Sequence, residues 1–174
     1  MTRLRAGERH LIRFTLNGTK MEGEAEPRTL LTDFLRQSVG ATGTHVGCEH
    51  GVCGACTVTV DGSLTRACLM LAVQIDGADV RTVEGLAPSP DRLGILQKAF
   101  RRNHALQCGF CTAGILMSLD HFLRRNPSPG EGEIRDLLSG HLCRCTGYTP
   151  IVRAALEAAA ELSEESRNKE ASDA

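Results

Sequence analysis

Eight cysteines in a chain of 174 residues fall into two groups of four, and their spacing constrains the fold more than any other feature. The first group is Cys48-x4-Cys53-x2-Cys56, with Cys68 twelve positions further on. The second is Cys108-x2-Cys111, followed by Cys143-x-Cys145. The C-x4-C-x2-C…C pattern is a spacing that holds a 2Fe–2S cluster. Four thiolates packed together repel one another and stay deprotonated only beside a strong cation, so ligands and metal stabilise each other. With both groups metallated the chain carries electrons, and chemistry on a substrate belongs to a partner.

Size and charge narrow the alternatives. The chain has no Trp, one Tyr and five Phe, so large aromatic side chains contribute little burial. Small cores of this kind need an extra constraint, which metal or disulfides supply. The formal net charge is −1 and there is no basic stripe, which argues against a nucleic-acid partner. The opening MTRLRAGERH is charged from its start and reads as neither a signal peptide nor a twin-arginine leader. No stretch approaches the roughly 18–20 apolar residues of a membrane span. The expectation is a cytoplasmic chain, in a reducing compartment where structural disulfides are rare.

Along the chain, Leu11–Asn17 alternates apolar and polar positions, Asn17-Gly18 follows, and Thr19–Glu26 continues, a hairpin signal with a type I′ turn. Leu30, Leu31, Phe34 and Leu35 mark one face of a short helix. Gly40–Gly54 is a loop with five glycines. Thr57–Val60, Asp61-Gly62 and Ser63–Ala67 form a second hairpin, and Leu69–Ile75 reads as a further strand. Beyond residue 84, Pro88 and Pro90 punctuate a linker and later segments have helical spacing. One helix runs through Leu93, Leu96, Ala99 and Phe100. Another runs through Ile115, Leu116, Leu119, Phe122 and Leu123. Ser128-Pro129-Gly130-Glu131 reads as a capping box before Ile134, Leu137 and Leu138. Thr149-Pro150 opens a fourth along Ile151, Ala155, Ala159 and Leu162. Two domains result: residues 10–84, α+β with one cysteine group, and residues 85–162, all-α with the other. The polar tail 163–174 is expected to be disordered.

Iron–sulfur sites need backbone N–H donors aimed at their sulfurs. Gly47, Gly51 and Gly54 let the backbone wrap closely. In the second group, Gly109 lies inside the C-x2-C, before a helix whose N-terminus places free amides beside an anionic centre. Disulfides and structural zinc compete with this reading. The x4 and x1 spacings are atypical of zinc, and the glycine-rich wrap exceeds what one tetrahedral ion needs. A Rieske centre is discarded: Cys48-Glu49-His50 is C-x-H, but no cysteine has His three positions on. His45 and His50 lie in the cysteine loop, while His10, His104, His121 and His141 are scattered and read as exposed or backbone-bonded. There is no Ser/His/Asp arrangement, no phosphate-cradling loop and no evident carboxylate pair.

Four segments carry a resemblance: GCEHGVCGACTVTVDG (Gly47–Gly62), ACLMLAVQ (Ala67–Gln74), QCGFCTAG (Gln107–Gly114) and CRCTGYTPIV (Cys143–Val152). They resemble the iron–sulfur small subunit of the molybdenum hydroxylases, the family of xanthine dehydrogenase, aldehyde oxidase and carbon monoxide dehydrogenase, over about residues 10–162. The resemblance implies a β-grasp, plant-ferredoxin-like N-terminal domain whose 2Fe–2S cluster is bound by Cys48, Cys53, Cys56 and Cys68. It implies a four-helix C-terminal domain whose 2Fe–2S cluster is bound by Cys108, Cys111, Cys143 and Cys145. It further implies a large subunit with molybdopterin near the second cluster and a medium subunit with FAD near the first, in a heterotrimer or a dimer of heterotrimers. Gln107 matches a glutamine that contacts the pterin, and Cys145 is placed at the same edge. The complex would hydroxylate an aldehyde, an N-heterocycle or a similar small molecule, with no substrate site in this chain.

Two positions depart from the family pattern. Ala113 stands where Pro is usual, and His141 where Asn is common; the former suits a helix start, and the latter either alters hydrogen bonding near Cys143 or faces solvent. A free-standing two-cluster carrier or sensor is the alternative function. Against it, Asn103–Leu119 contains no Asp, Glu, Lys or Arg, as cores and obligate interfaces do.

Overall fold

The computed structural model describes residues 4–89 and 91–172. β1 (His10–Leu16) and β2 (Thr19–Ala25) pair antiparallel, with Leu16 opposite Thr19. The two-residue turn between them has Asn17 at φ 50° and Gly18 at φ 82°, the left-handed pair that a type I′ turn requires. β3 (Thr57–Val60) and β4 (Ser63–Arg66) make the second hairpin through Asp61 and Gly62, again with both φ positive. A third pairing was missed in the sequence: β5 (Asp79–Arg81) lies between β1 and β3, parallel to β1 and antiparallel to β3. The mixed sheet has the order β2-β1-β5-β3-β4. At three residues, β5 is too short to show an alternation in sequence.

Two other readings are corrected. Leu69–Ile75 is not a strand: 3₁₀ turns at Ala67–Leu69 and Ala72–Ile75 flank an isolated bridge from Leu71 to Leu30. Its apolar residues were read with period 2, whereas Ala72 and Ile75, three apart, both turn inward. The helix predicted around Phe34 is one α-turn, α1 (Leu31–Asp33), continued as a π-helical stretch Phe34–Val39 that ends on left-handed Gly40. Phe34 is fully buried, packs on the Phe14 ring with centroids 5.7 Å apart, and leaves no room for a Cβ at Gly23. Ile12, Leu31, Leu35, Val58, Ile75 and Val80 complete this first core.

The second half is helical: α2 (Ile95–Arg102), α3 (Thr112–Leu123), α4 (Glu131–Leu138) and α5 (Thr149–Ser172). They enclose a separate core of Leu96, Phe100, Ile115, Leu119, Ile134 and Ile151, with Ala154, Ala155, Ala158 and Ala159 forming the close-packing face of α5. Gly130, not Ser128, precedes the first turn of α4, and its N–H donates to Glu133 Oε2 at 2.8 Å. The acceptor three residues on selects the helix start. The tail expected to be disordered is helical through Ser172; residues 173–174 lie outside the described residues. Once the Ile151–Ala159 turns are fixed by packing, each added residue gains a hydrogen bond without a new nucleation cost, and Ser163 Oγ bonds the Pro127 carbonyl at 2.9 Å.

The two cores are pressed together along β3 and α3. Val58 and Val60 face the first core, which leaves Thr57 and Thr59 on the opposite face, also buried. The closest approach is backbone on backbone: a Cβ on Gly114, in the first turn of α3, would stand 2.0 Å from the Gly54 carbonyl oxygen. Gly114→Ala ordinarily gains up to about 1 kcal/mol in helix propensity, but here the overpacking penalty of about 1–3 kcal/mol outweighs it. The expected outcome is a lower unfolding midpoint for this variant, read by circular dichroism of the full chain. A raised midpoint would show that the contact yields freely.

Candidate metal centres

The second hairpin builds half of the first site. Cys56 enters β3, Cys68 follows β4, and the Thr57–Arg66 pairing closes with Ala67 N–H donating to the Cys56 carbonyl at 3.2 Å. Both thiols are buried. The other half is the loop Gly40–Gly54, held at both flanks: Arg36 Nη1 donates to the Thr42 and Thr44 carbonyls (2.6 and 2.8 Å), and Gly43 N–H donates to Glu84 Oε1 at 2.8 Å. Glu84 was not picked out in the sequence, because its partner is a loop amide 41 residues away and leaves no local pattern. Within the loop, Glu49 (φ 55°), Gly51 (φ 73°) and Gly54 (φ 77°) turn left-handed and aim backbone amides inward. The N–H groups of His50 and Cys53 point at Cys48 Sγ, each at 3.4 Å.

The second site joins the N-terminus of α3 to the loop before α5. Cys111 caps α3 and is buried; Cys108 and Cys145 are exposed, with their sulfurs 3.5 Å apart. Tyr148, itself left-handed at φ 68°, accepts the Cys143 N–H at 2.8 Å and donates to the His141 carbonyl at 3.0 Å. Gln107 is exposed beside Cys108. The charge-free stretch divides: Cys111–Leu119 is helix and core, whereas Leu106 and Phe110 are 41% and 47% exposed around Cys108.

The thiols meet in pairs. Cys48 interacts with Cys53 and Cys56 with Cys68; Cys108 interacts with Cys145 and Cys111 with Cys143. No interaction crosses from one group to the other among these contacts. Cys53 also bears on Cys56 and Cys108 on Cys111, so each group of four acts together. Their acidities follow the surroundings of each thiol, not the pairing. The Cys53 and His50 amides bring the Cys48 thiol down to about 6. Burial pushes Cys56 up to about 11 and Cys111 up to about 12. Cys108 is lowered, chiefly by the Phe110 amide. Buried thiols of this kind lose their protons only to a metal cation. The donor set, the inward amides and the glycine cradle therefore fit 2Fe–2S centres.

The sites touch each other. Leu142 N–H donates to the Cys53 carbonyl at 3.0 Å, Arg66 Nη2 reaches the Gly140 carbonyl at 2.8 Å, and His141 lies over Gly54. His141 is 2% exposed and its Nε2 is 2.8 Å from Ser118 Oγ, so the solvent-facing reading of this residue is wrong. Burial, then Arg66, lowers its pKa to about 4 and keeps it neutral. His45 and His50, by contrast, bond backbone carbonyls as expected. Ala113 sits in the first turn of α3, where a missing proline costs no hydrogen bond.

A fold of two joined iron–sulfur modules defines the class, a two-centre electron-transfer protein. Comparison with known proteins agrees: residues 14–81 match the 2Fe-2S iron-sulfur cluster binding domain and residues 82–156 the [2Fe-2S] binding domain. The chain is 55% identical over 148 residues to the gamma subunit of caffeine dehydrogenase from Pseudomonas sp. (strain CBB1), covering 83% of this chain and 88% of that one. It is 50% identical over 162 residues to the nicotine 6-hydroxylase small subunit of Paenarthrobacter nicotinovorans, covering 93% and 97%. The crystal structure of quinoline 2-oxidoreductase from Pseudomonas putida 86 superposes with a TM-score of 0.87 at 49% identity, covering 90% of this chain and 97% of the matched one. The chain belongs to the family of 2Fe–2S small subunits of the molybdenum hydroxylases, and its role is electron transfer within an oxidoreductase.

Gly54→Ala would force a Cβ to within 2.3 Å of His141 Nδ1 at a left-handed φ. We expect a loss of about 1–3 kcal/mol. Adding His141→Ala should recover part of it, a coupling of about 0.5–3 kcal/mol in a double-mutant cycle of chemical unfolding. Strict additivity would mean that the two residues do not press on each other.

Proposed function

We propose that Cys48, Cys53, Cys56 and Cys68 bind one 2Fe–2S cluster and Cys108, Cys111, Cys143 and Cys145 the other, and that this chain relays electrons from a molybdopterin-bearing large subunit to an FAD-bearing medium subunit. The boundary near residue 84 separates a β-grasp cluster domain from a four-helix cluster domain; the two distinct cores support that division. When bound, each cluster takes up and passes on one electron, at a potential set by burial and N–H···S bonding.

One observation carries the relay: the 3.0 Å hydrogen bond from Leu142 N–H to the Cys53 carbonyl. Leu142 adjoins Cys143, so the path between ligands of the two groups is one peptide link and one hydrogen bond. The residues offer the partners two exposed edges. Gln107, Cys108 and Cys145 form an exposed edge rimmed by Leu106 and Phe110, suited to a buried contact with the large subunit near its pterin. Val52 and Leu69, 61% and 64% exposed beside the Cys48–Cys53 loop, suit the flavin subunit. These apolar rims favour a heterotrimer, or its dimer, over a free-standing carrier, whose contacts would be transient and charged.

Among the described residues no helix is long and apolar enough to cross a membrane, in keeping with a cytoplasmic complex. The names of the relatives (caffeine, nicotine, quinoline) favour an N-heterocycle over an aldehyde as substrate, bound and hydroxylated in the large subunit.

Metal content and electron paramagnetic resonance test the ligand sets. The wild-type chain should hold about four irons and give two distinct signals when reduced, with about two irons per 2Fe–2S centre. Cys48→Ser should remove one signal, and Cys108→Ser the other with transfer to a flavin-side acceptor. Loss of both signals from one substitution would contradict independent ligation, and a colourless zinc-loaded chain would overturn the reading. Gln107→Ala should weaken attachment of the large subunit at unchanged iron content; falling iron would make Gln107 a structural residue.

A further inference from the structure

Phe110 lies between the two cysteines of the second C-x2-C, yet its ring reaches the first cysteine loop. The His45 ring stacks on it, with centroids 5.0 Å apart and planes 18° from parallel. His45 Nδ1 is also 2.8 Å from the Phe110 carbonyl oxygen. A carbonyl only accepts, so Nδ1 carries the proton and the tautomer is fixed. Gly47 completes the socket: a Cβ there would stand 3.2 Å from Phe110 Cε1 and 3.1 Å from Cys53 Sγ. A side chain there would press this ring and this thiol back by a few tenths of an ångström.

Burial does not hold Phe110 in place, since the residue is 47% exposed. The turn itself is closed by the Thr112 N–H, which donates to the Gly109 carbonyl at 3.1 Å, while Gly109, at φ 81°, has open space where a side chain would stand. Leu142 to Cys53 and His141 over Gly54 engage the segment before Cys143, and Gly54 against Gly114 engages α3. His45 instead engages the Cys108–Cys111 turn. It is presented from a loop that Arg36 grips through the Thr42 and Thr44 carbonyls.

We propose that His45 is a positioning residue: by stacking on Phe110 and bonding its carbonyl, it fixes the orientation of the Cys108–Cys111 turn against the Cys48–Cys53 loop and so sets the electronic coupling between the two metal centres. The proposal rests on the ligand assignment above. Two contacts of different kinds, a ring stack and a hydrogen bond, meet at one side chain.

The test uses the full chain with both clusters reduced and reads the magnetic splitting between their resonance signals, which depends on separation and orientation. His45→Ala and Phe110→Leu, neither of them a ligand, remove the stack from opposite sides. Both are expected to shift or abolish the splitting while iron stays at the wild-type level and both signals persist. His45→Phe, which keeps a ring but no donor, should retain more of the splitting than His45→Ala. An unchanged splitting in His45→Ala and Phe110→Leu at full iron overturns the proposal. So does loss of iron from both, because the pair would then serve loop folding. A wild-type chain without two signals fails earlier, sinking the ligand assignment and this proposal with it.

Discussion

The Gly54 carbonyl, packed against Gly114 of α3 and covered by His141, is the contact on which the rest of the arrangement depends. It lies one residue after Cys53 and two before Cys56, and it meets the helix whose N-cap is Cys111. Two cysteine loops can approach this closely only where neither backbone carries a side chain at the contact. That closeness brings Leu142 N–H to the Cys53 carbonyl and lets Arg66 bridge from β4 to Gly140. Electron transfer between buried centres needs a short and stable separation, and here backbone contact supplies it, without a hinge.

Each site also has an inside and an outside. Cys56, Cys68 and Cys111 are buried, while Cys108 and Cys145 are exposed and Cys48 and Cys53 lie between. Desolvation pushes the Cys56 and Cys111 thiols up, and the outward Cys48 is acidified by amides in a tightly turned loop. The same folding that sinks one pair of sulfurs into a core leaves the other pair near the surface, where a partner can approach. Metal binding and partner access follow from one gradient of burial.

Much of this was legible in the chain. Asn17-Gly18 and Asp61-Gly62 announce both hairpins, because few other dipeptides adopt two consecutive left-handed conformations without strain. The apolar spacing of Ile115, Leu116, Leu119 and Leu123 announces α3. The cysteine spacing sets out two groups of four, the ligand sets proposed above. Short or context-dependent elements were not legible. β5 is three residues long, the Ala67–Ile75 turns bear residues common in strands, and the end of α5 is polar enough to pass for a tail. His141 stood between two readings, and contacts from both sides, Gly54 and Ser118 of α3, bury it.

The sequence by itself determined the left-handed turns at Asn17-Gly18 and Asp61-Gly62 and the presence of the helices α2 to α5, since these follow from local backbone preference and apolar spacing. Only the tertiary structure decided that Glu84 clasps the first loop, that His45 meets Phe110, and that Gly54 meets Gly114. Those contacts join residues dozens of positions apart. They arise because two separately nucleated cores are pressed face to face, and no local periodicity encodes which surfaces will meet.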